Sequence, residues 1–498
     1  MRFSSRAVLA LVLSTALATP MLVAPVLAQT TATDPLIAIE AEQIPGDFST
    51  AIADAAPGRT LFLAGEYVTA LAMLRPLADA GNPVAQNILG VSLTERNGAY
   101  GTYDAAEGFR YLLAAGAQNF GPAMQNLGDT YDETHDGFAP NIEESSRWFI
   151  AAAELGYEPA FNGAAFALVY GHGVAEDGAA GRIFLDRALN GDYRAYTLGL
   201  LGDLAYFGQG QAQDLVLSLE YYLQAAEAGN AEAAWYAAFQ YMSGEGALIN
   251  PAAALPLLEQ AVAGNELDAI GHLSLLLSSG EADVVPDPDR AFALAMGGDE
   301  MGNGFASSVL GDFYRLGVGT EENFDLARAA YERGQERGEA EAIYQLGDMA
   351  YFGLGDPANY ELAFAYYHGA LEIYPDHRDS LYSIAYMQMR GEGTEVDIAS
   401  ATDLLQQTIE QRHLPSMIEA VELFGAPEYR GPQTDEVRAR AHCLYVDALG
   451  RLPMDDGDNI DTGDIEDHVA TCTRLAEELS AEDQTRAAEM AAAMAAAL

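Results

Sequence analysis

One phrase, returning along the chain at a near-constant interval, limits the possible folds more than any other feature. Leu201-Gly202-Asp203-Leu204-Ala205-Tyr206-Phe207-Gly208-Gln209-Gly210 matches the ten residues from Leu346 to Gly355 at eight positions, 145 residues further on. The phrase stands again from Leu310-Gly311-Asp312 to Gly317-Val318-Gly319, and a weaker copy begins at Leu127-Gly128-Asp129. Degenerate relatives end at Gly171-His172-Gly173, Gly244-Glu245-Gly246 and Gly391-Glu392-Gly393. A second phrase follows each copy: it opens on Asp or Asn, runs through alanines and aromatics, and closes on glycine. Residues 141–156, 214–229, 250–264 and 323–338 are examples, and another starts at Asn359. The closing glycines, at 81, 116, 156, 191, 229, 264, 302 and 338, lie 35–40 residues apart. We count nine repeats, preceded by an N-terminal half-unit around 59–80.

The chemistry of one repeat reads as helix, loop, helix, turn. Asn141, Asp214, Asn250 and Asn323 stand where a side-chain oxygen can accept from the free amides of a starting helix. Gly208, Gly210, Gly317, Gly319, Gly353 and Gly355 form Gly-x-Gly loops, which read as helix terminators rather than phosphate cradles. Alanines and glycines let neighbouring helices approach while Tyr, Phe and Leu fill the gaps. A single hairpin cannot bury its own apolar face, so the units must stack into an α-solenoid. That architecture also suits 498 residues, more than one compact core usually holds.

These motifs resemble Sel1-like repeats, cousins of the tetratricopeptide repeats. The match rests on the Leu-Gly-x-x-Tyr-x-x-Gly-x-Gly phrase, the Asp/Asn start, and endings such as Ala225-Ala226-Glu227-Ala228-Gly229-Asn230-Ala231-Glu232-Ala233. It covers residues 57–425, with departures at 275–281, which lacks the Gly-x-Gly loop, and at 373–377, which lacks the closing glycine. The resemblance implies an all-α, right-handed superhelical solenoid of helix–loop–helix repeats. It further implies adaptor or regulatory work in protein complexes, including control of signalling at the cell envelope. One subgroup of such proteins carries a cysteine pair in each repeat and is linked to β-lactam binding; this chain lacks those cysteines.

Residues 426–498 break the period after Gly425-Ala426-Pro427 and read as a C-terminal helical cap around an acidic loop at 455–461. That loop fails the spacing of a calcium-binding EF-hand. Cys443 and Cys472, the only cysteines, read most simply as a disulfide. The alternative is a zinc site with His442 and His468, which lacks the usual paired-ligand spacing. At the other end, Arg2 and Arg6 precede an apolar stretch from Ala7 to Ala18, and Val26-Leu27-Ala28 offers a cleavage point. The layout is that of a signal peptide over 1–28, followed by an extension over 29–56. We therefore expect a periplasmic or secreted protein with no transmembrane segment in the mature chain.

Charge restricts function further. Against 74 Asp+Glu stand 24 Lys+Arg, and all 24 are arginine, giving a net charge of −50. The missing lysine removes Walker-type phosphate binding and Schiff-base chemistry, and the charge repels nucleic acid. No hydrolase, zincin or nucleotide-binding motif is present, so the sequence assigns no catalytic residue, metal ligand or cofactor. Asp129, Asp203, Asp312 and Asp348 share one repeat position, with Tyr206 and Tyr351 close by. They could form an acidic–aromatic ladder along a groove for a basic segment; equally, each aspartate could serve its own helix or loop. The preferred function is an exported, non-enzymatic interaction scaffold with basic or envelope-associated protein partners. The alternatives are an envelope enzyme or ligand-binding protein with a site in the groove or C-terminal region, and a surface acidic through salt adaptation.

Overall fold

A computed structural model describes residues 44–95, 100, 103–132, 139–280, 283–410, 439, 443, 472–477 and 479–496. Among these there is no strand. They divide into two compact units, one of residues 44–240 with 244–248, the other of 241–243 and everything from 249 on. The first holds α1 Ser49–Leu63, α2 Tyr67–Asp79, α3 Pro83–Thr94, α4 Ala105–Gly116, α5 Gly121–Asp132, α6 Ile142–Glu154, α7 Phe161–Tyr170, α8 Gly178–Ala188, α9 Arg194–Phe207 and α10 Leu215–Glu227. Most of α11, Ala231–Ser243, also belongs to it. The second holds α12 Pro251–Ala263, α13 Asp268–Ser279, α14 Pro288–Glu300, α15 Gly304–Leu316, α16 Phe324–Glu336, α17 Ala340–Phe352, α18 Tyr360–Ile373, α19 Arg378–Arg390, α20 Ile398–Glu410 and α21 Ala481–Ala496. Odd-numbered helices up to α19 begin a repeat, and even-numbered ones up to α20 complete it.

Side-chain oxygens start the helices where the sequence places them. Asn141, Asp214, Asn250 and Asn323 accept from the amides of Glu144, Leu217, Ala253 and Leu326, and Asp104, Asp177, Asp287 and Asn359 cap in the same way. The first helices carry a second cap with a longer reach. Asn82, Asn230 and Asn303 each accept from the amide three residues on. Their Nδ2 groups donate back to the preceding first helix, to the Ala51 carbonyl at 2.9 Å, the Ala195 carbonyl at 3.3 Å and Asp268 Oδ1 at 3.0 Å. Asn230→Ala thus removes both a cap and a tie between repeats. It is expected to cost about 2 kcal/mol, against about 1 kcal/mol for Asp214→Ala, which removes a cap alone. Urea unfolding of the two variants compares them, and equal costs would remove the tie from the account.

Two features differ from the sequence expectation. The half-unit at 59–80 is a complete pair, because α1 begins at Ser49, inside the stretch read as an extension. Pro57 and Gly58 lie within α1, where Gly58 leaves room for the Leu74 side chain of α2. Nor do all the closing glycines close: Gly116 is still helical, and Asn119 (φ 58°) and Asn265 (φ 67°) take the left-handed positions after α4 and α12. Gly191 likewise lies outside the left-handed region, whereas Gly81, Gly156, Gly229, Gly302 and Gly338 occupy it.

At the C-terminal end Ala439, Cys443, Leu475, Ala487 and Ala491 bury against Ala385 and Met389 of α19 and Ala401, Leu405 and Ile409 of α20. Cys443 and Cys472 are joined as a disulfide. His442, His468, the acidic loop 455–461 and residues 1–43 lie outside the described residues. No helix among the described residues is long and apolar enough to cross a membrane.

Candidate functional site

The Leu-Gly-Asp phrase seats a tyrosine. In α9, α15 and α17 the glycine leaves space that the ring of the following helix occupies; a β-carbon at Gly347 would lie 2.5 Å from the Tyr367 ring. The aspartate one residue on accepts the hydroxyl of that ring, always 19 residues away: Tyr222 to Asp203 at 2.7 Å, Tyr331 to Asp312 at 2.7 Å, Tyr367 to Asp348 at 2.8 Å. Asp203 also accepts from Tyr170 of the preceding repeat at 2.5 Å, and Asp312 from Arg315 at 2.8 Å. Asp203 is 8% exposed and Asp312 2%. The structure therefore sets these carboxylates inside the helix pairs instead of along a groove, because a carboxylate in an apolar layer requires donors and the tyrosines supply them. Asp129 is half-buried, and the place 19 residues on holds Trp148, while Phe149 fills the seat beside Gly128.

Burial still disfavours the ionised form. It pushes the Asp203 carboxyl up to about 6 and that of Asp348 up to about 7, although the tyrosine hydroxyls pull the other way. Tyr206 and Tyr351 are also engaged. Each reaches the middle residue of the next repeat's Gly-Glu-Gly loop, Tyr206 to Glu245 and Tyr351 to Glu392, both at 2.6 Å. The Gly-x-Gly loops end helices, with Gly208, Gly317 and Gly353 left-handed at φ 68–70°. Their second glycines, Gly210 and Gly319, are left-handed as well and press on backbone at the start of the second helix of the preceding repeat. Phe207 and Phe352, beside the two tyrosines, are exposed.

A polar cluster that the sequence reading passed over lies where α17 and α19 begin. Glu341, His377 and Ser380 are fully buried, with Gln345 and Asp379 nearly so. His377 caps α19: its Nδ1 accepts from the Ser380 amide at 3.2 Å and lies 2.8 Å from Ser380 Oγ. Its Nε2 faces Glu341 Oε2 at 3.3 Å, and Gln345 donates to Glu341 at 2.7 Å. Serine, histidine and glutamate in line resemble a hydrolase relay, but here the hydroxyl has no solvent access and shares the imidazole lone pair with a backbone amide. A surface cleft of about 400 Å³, lined by Ala252, Leu255, Leu277, Val284, Val285 and Pro286, contains none of the cluster. The sequence marks His377 only by the lack of any glycine at 373–377.

Comparison with known proteins follows the repeat. The Sel1 repeat family matches residues 83–120, 121–157, 197–230, 340–372 and 378–413. The chain carries five Sel1 repeats. The Sel1 matches leave out 231–339, yet Asn303, Asp312 and Tyr331 repeat there the devices found in matched units. A protective antigen of uropathogenic Escherichia coli with the same repeat fold is similar over 90% of this chain and 94% of its own, at 21% identity and a TM-score of 0.56. A Sel1 repeat protein of Oxalobacter formigenes covers 50% of this chain and 96% of its own, at 20% identity and a TM-score of 0.42. An uncharacterized protein of Neisseria meningitidis is 28% identical over 255 residues, and the chain spans about half the length of that curated relative, 51%. The Sel1 fold is typically a scaffold for protein–protein interaction.

Proposed function

We propose that the chain is an exported scaffold that recruits basic protein partners through the surplus carboxylates of its Sel1 array. The supporting observation is where the positive charge goes. Arg75 pairs with Glu107, Arg147 with Glu143 and Glu144, Arg182 with Asp186, Arg290 with Glu259, Arg315 with Asp312, and Arg328 with Asp356. Arg333 and Arg337 converge on Asp299. These eight arginines are engaged by the chain's own carboxylates, and 74 acidic residues against 24 basic leave a large excess of negative charge over the whole chain. Such a surface speeds encounter with a basic partner, and a stacked array of repeats offers it many preorganised contacts.

Export rests on the basic head and apolar stretch before Ala28, and the Cys443–Cys472 disulfide suits an oxidising compartment. Two measurements test the reading. Intact mass of the protein from the cell envelope fraction is expected to correspond to a chain starting at Gln29. Crosslinking in cells followed by affinity purification is expected to bring down a stoichiometric basic protein whose recovery falls as ionic strength rises. Recovery unchanged by salt would overturn the electrostatic part, and an uncleaved chain in the cytoplasm would overturn export.

A further inference from the structure

His377 occupies a position that other repeats give to asparagine. Asn82, Asn230 and Asn303 cap first helices with a carbonyl oxygen that no pH change alters. At α19 the acceptor is an imidazole nitrogen, fully buried, with the Ser380 amide 3.2 Å away. A backbone amide can only donate, so Nδ1 must keep its lone pair, and the neutral ring carries its proton on Nε2, directed at Glu341. The neighbours of the ring want the opposite. From α17 it faces the carboxylates of Glu339 and Glu341 and, at 5.4 Å between ring centres, Tyr344. Tyr374 lies 6.2 Å away on the turn before it, and Arg378 and Asp379 follow it on α19. The carboxylates favour an imidazolium, whereas the cap and the positive end of the helix require a free lone pair. Both cannot be met in one state.

We propose that His377 is a proton-operated cap: a second proton, on Nδ1, turns the acceptor into a donor facing the Ser380 amide, releases the first turn of α19, and leaves the imidazolium paired with Glu341. The Ser380 hydroxyl, 2.8 Å from Nδ1, then rotates to accept from it. Burial lowers the affinity of the ring for the proton, but Glu341, with Asp379 and Glu339, raises it by more, so the change comes above the ordinary histidine range. The chain as a whole gains from the new ion pair. The loosening is local.

Hydrogen exchange read by mass spectrometry on the full chain, between about pH 8 and about pH 5 and corrected for intrinsic rates, tests this. The first turn of α19 is expected to lose about tenfold in protection as pH falls, the factor a helix cap typically supplies. The first turn of α3, capped by Asn82, whose Nδ2 donates to the Ala51 carbonyl, serves as the internal reference and is expected to keep its protection. His377→Asn is expected to abolish the α19 response, and Glu341→Gln to move its midpoint to lower pH. The proposal is overturned if the two turns follow the same course in the wild-type chain, a comparison that stands even should a variant fail to fold. Retention of the α19 response in a folded His377→Asn protein would overturn it equally.

Discussion

Replacing Gly210 by alanine is expected to cost roughly 3–5 kcal/mol, while the same change at Gly229 is expected to cost about 1–2 kcal/mol. Both glycines are left-handed, at φ 67° and 96°, so both substitutions carry the steric penalty of that conformation. They differ in what a methyl group would meet. At Gly229 nothing lies within 4 Å, but at Gly210 the new carbon would overlap the backbone of Gly178 and Ala179, at the start of α8. Flexible side-chain ends can yield to such an overlap; backbone in the first turn of a helix cannot without moving the helix. Urea unfolding midpoints of the two variants against the parent give the comparison, and similar midpoints would show that the contact between repeats is looser than the geometry indicates.

The second large effect is on the pH dependence of stability. Asp203, Asp348 and Glu339 have carboxyls raised in the folded chain to about 6, about 7 and about 7, each chiefly by burial, whereas unfolding returns them to the ordinary range near 4. Below pH 4 both states hold these protons and the groups are neutral in effect. As pH rises from there to about 7 the unfolded chain releases them first, so stability falls, by on the order of a few kcal/mol for each group. Glu341 and His377 are shifted in the same direction. Asp299, held low by Arg333, Arg337 and Ser307, acts oppositely, but only once pH drops below the usual aspartate range. Thermal midpoints are therefore expected to be higher near pH 5 than near pH 8. The double variant Asp203→Asn, Asp348→Asn is expected to flatten that slope and to lose little stability at pH 8. A slope unchanged by the double variant would locate the effect in overall charge instead.

How far these sites were legible follows from the reach of each interaction. Caps such as Asn141 and Asp214 act within three residues, so their identity and place in the repeat suffice. First glycines of the Gly-x-Gly loops are legible for the same reason. The second glycines read only as part of a turn, because what forbids a side chain at Gly210 is Gly178, 32 residues earlier. The Leu-Gly-Asp aspartates stood out as periodic, and their role was left open between recognition and support. A tyrosine 19 residues later in three of four copies is the signal that decides it, since a hydroxyl at constant spacing from a carboxylate serves the pair. The His377 cluster gave no pattern, being assembled once and from two repeats.

The ties described between repeats run from one unit to its neighbour: cap amide to the preceding helix, tyrosine to the following loop, second glycine against the preceding helix start. Junctions of this kind are interchangeable parts. A gene encoding them can gain or lose a repeat, or let one junction drift, without rewriting the others, as His377 in an asparagine's place and Trp148 in a tyrosine's place already record. New binding specificity can therefore be acquired one repeat at a time, while the remainder of the array continues to fold as before.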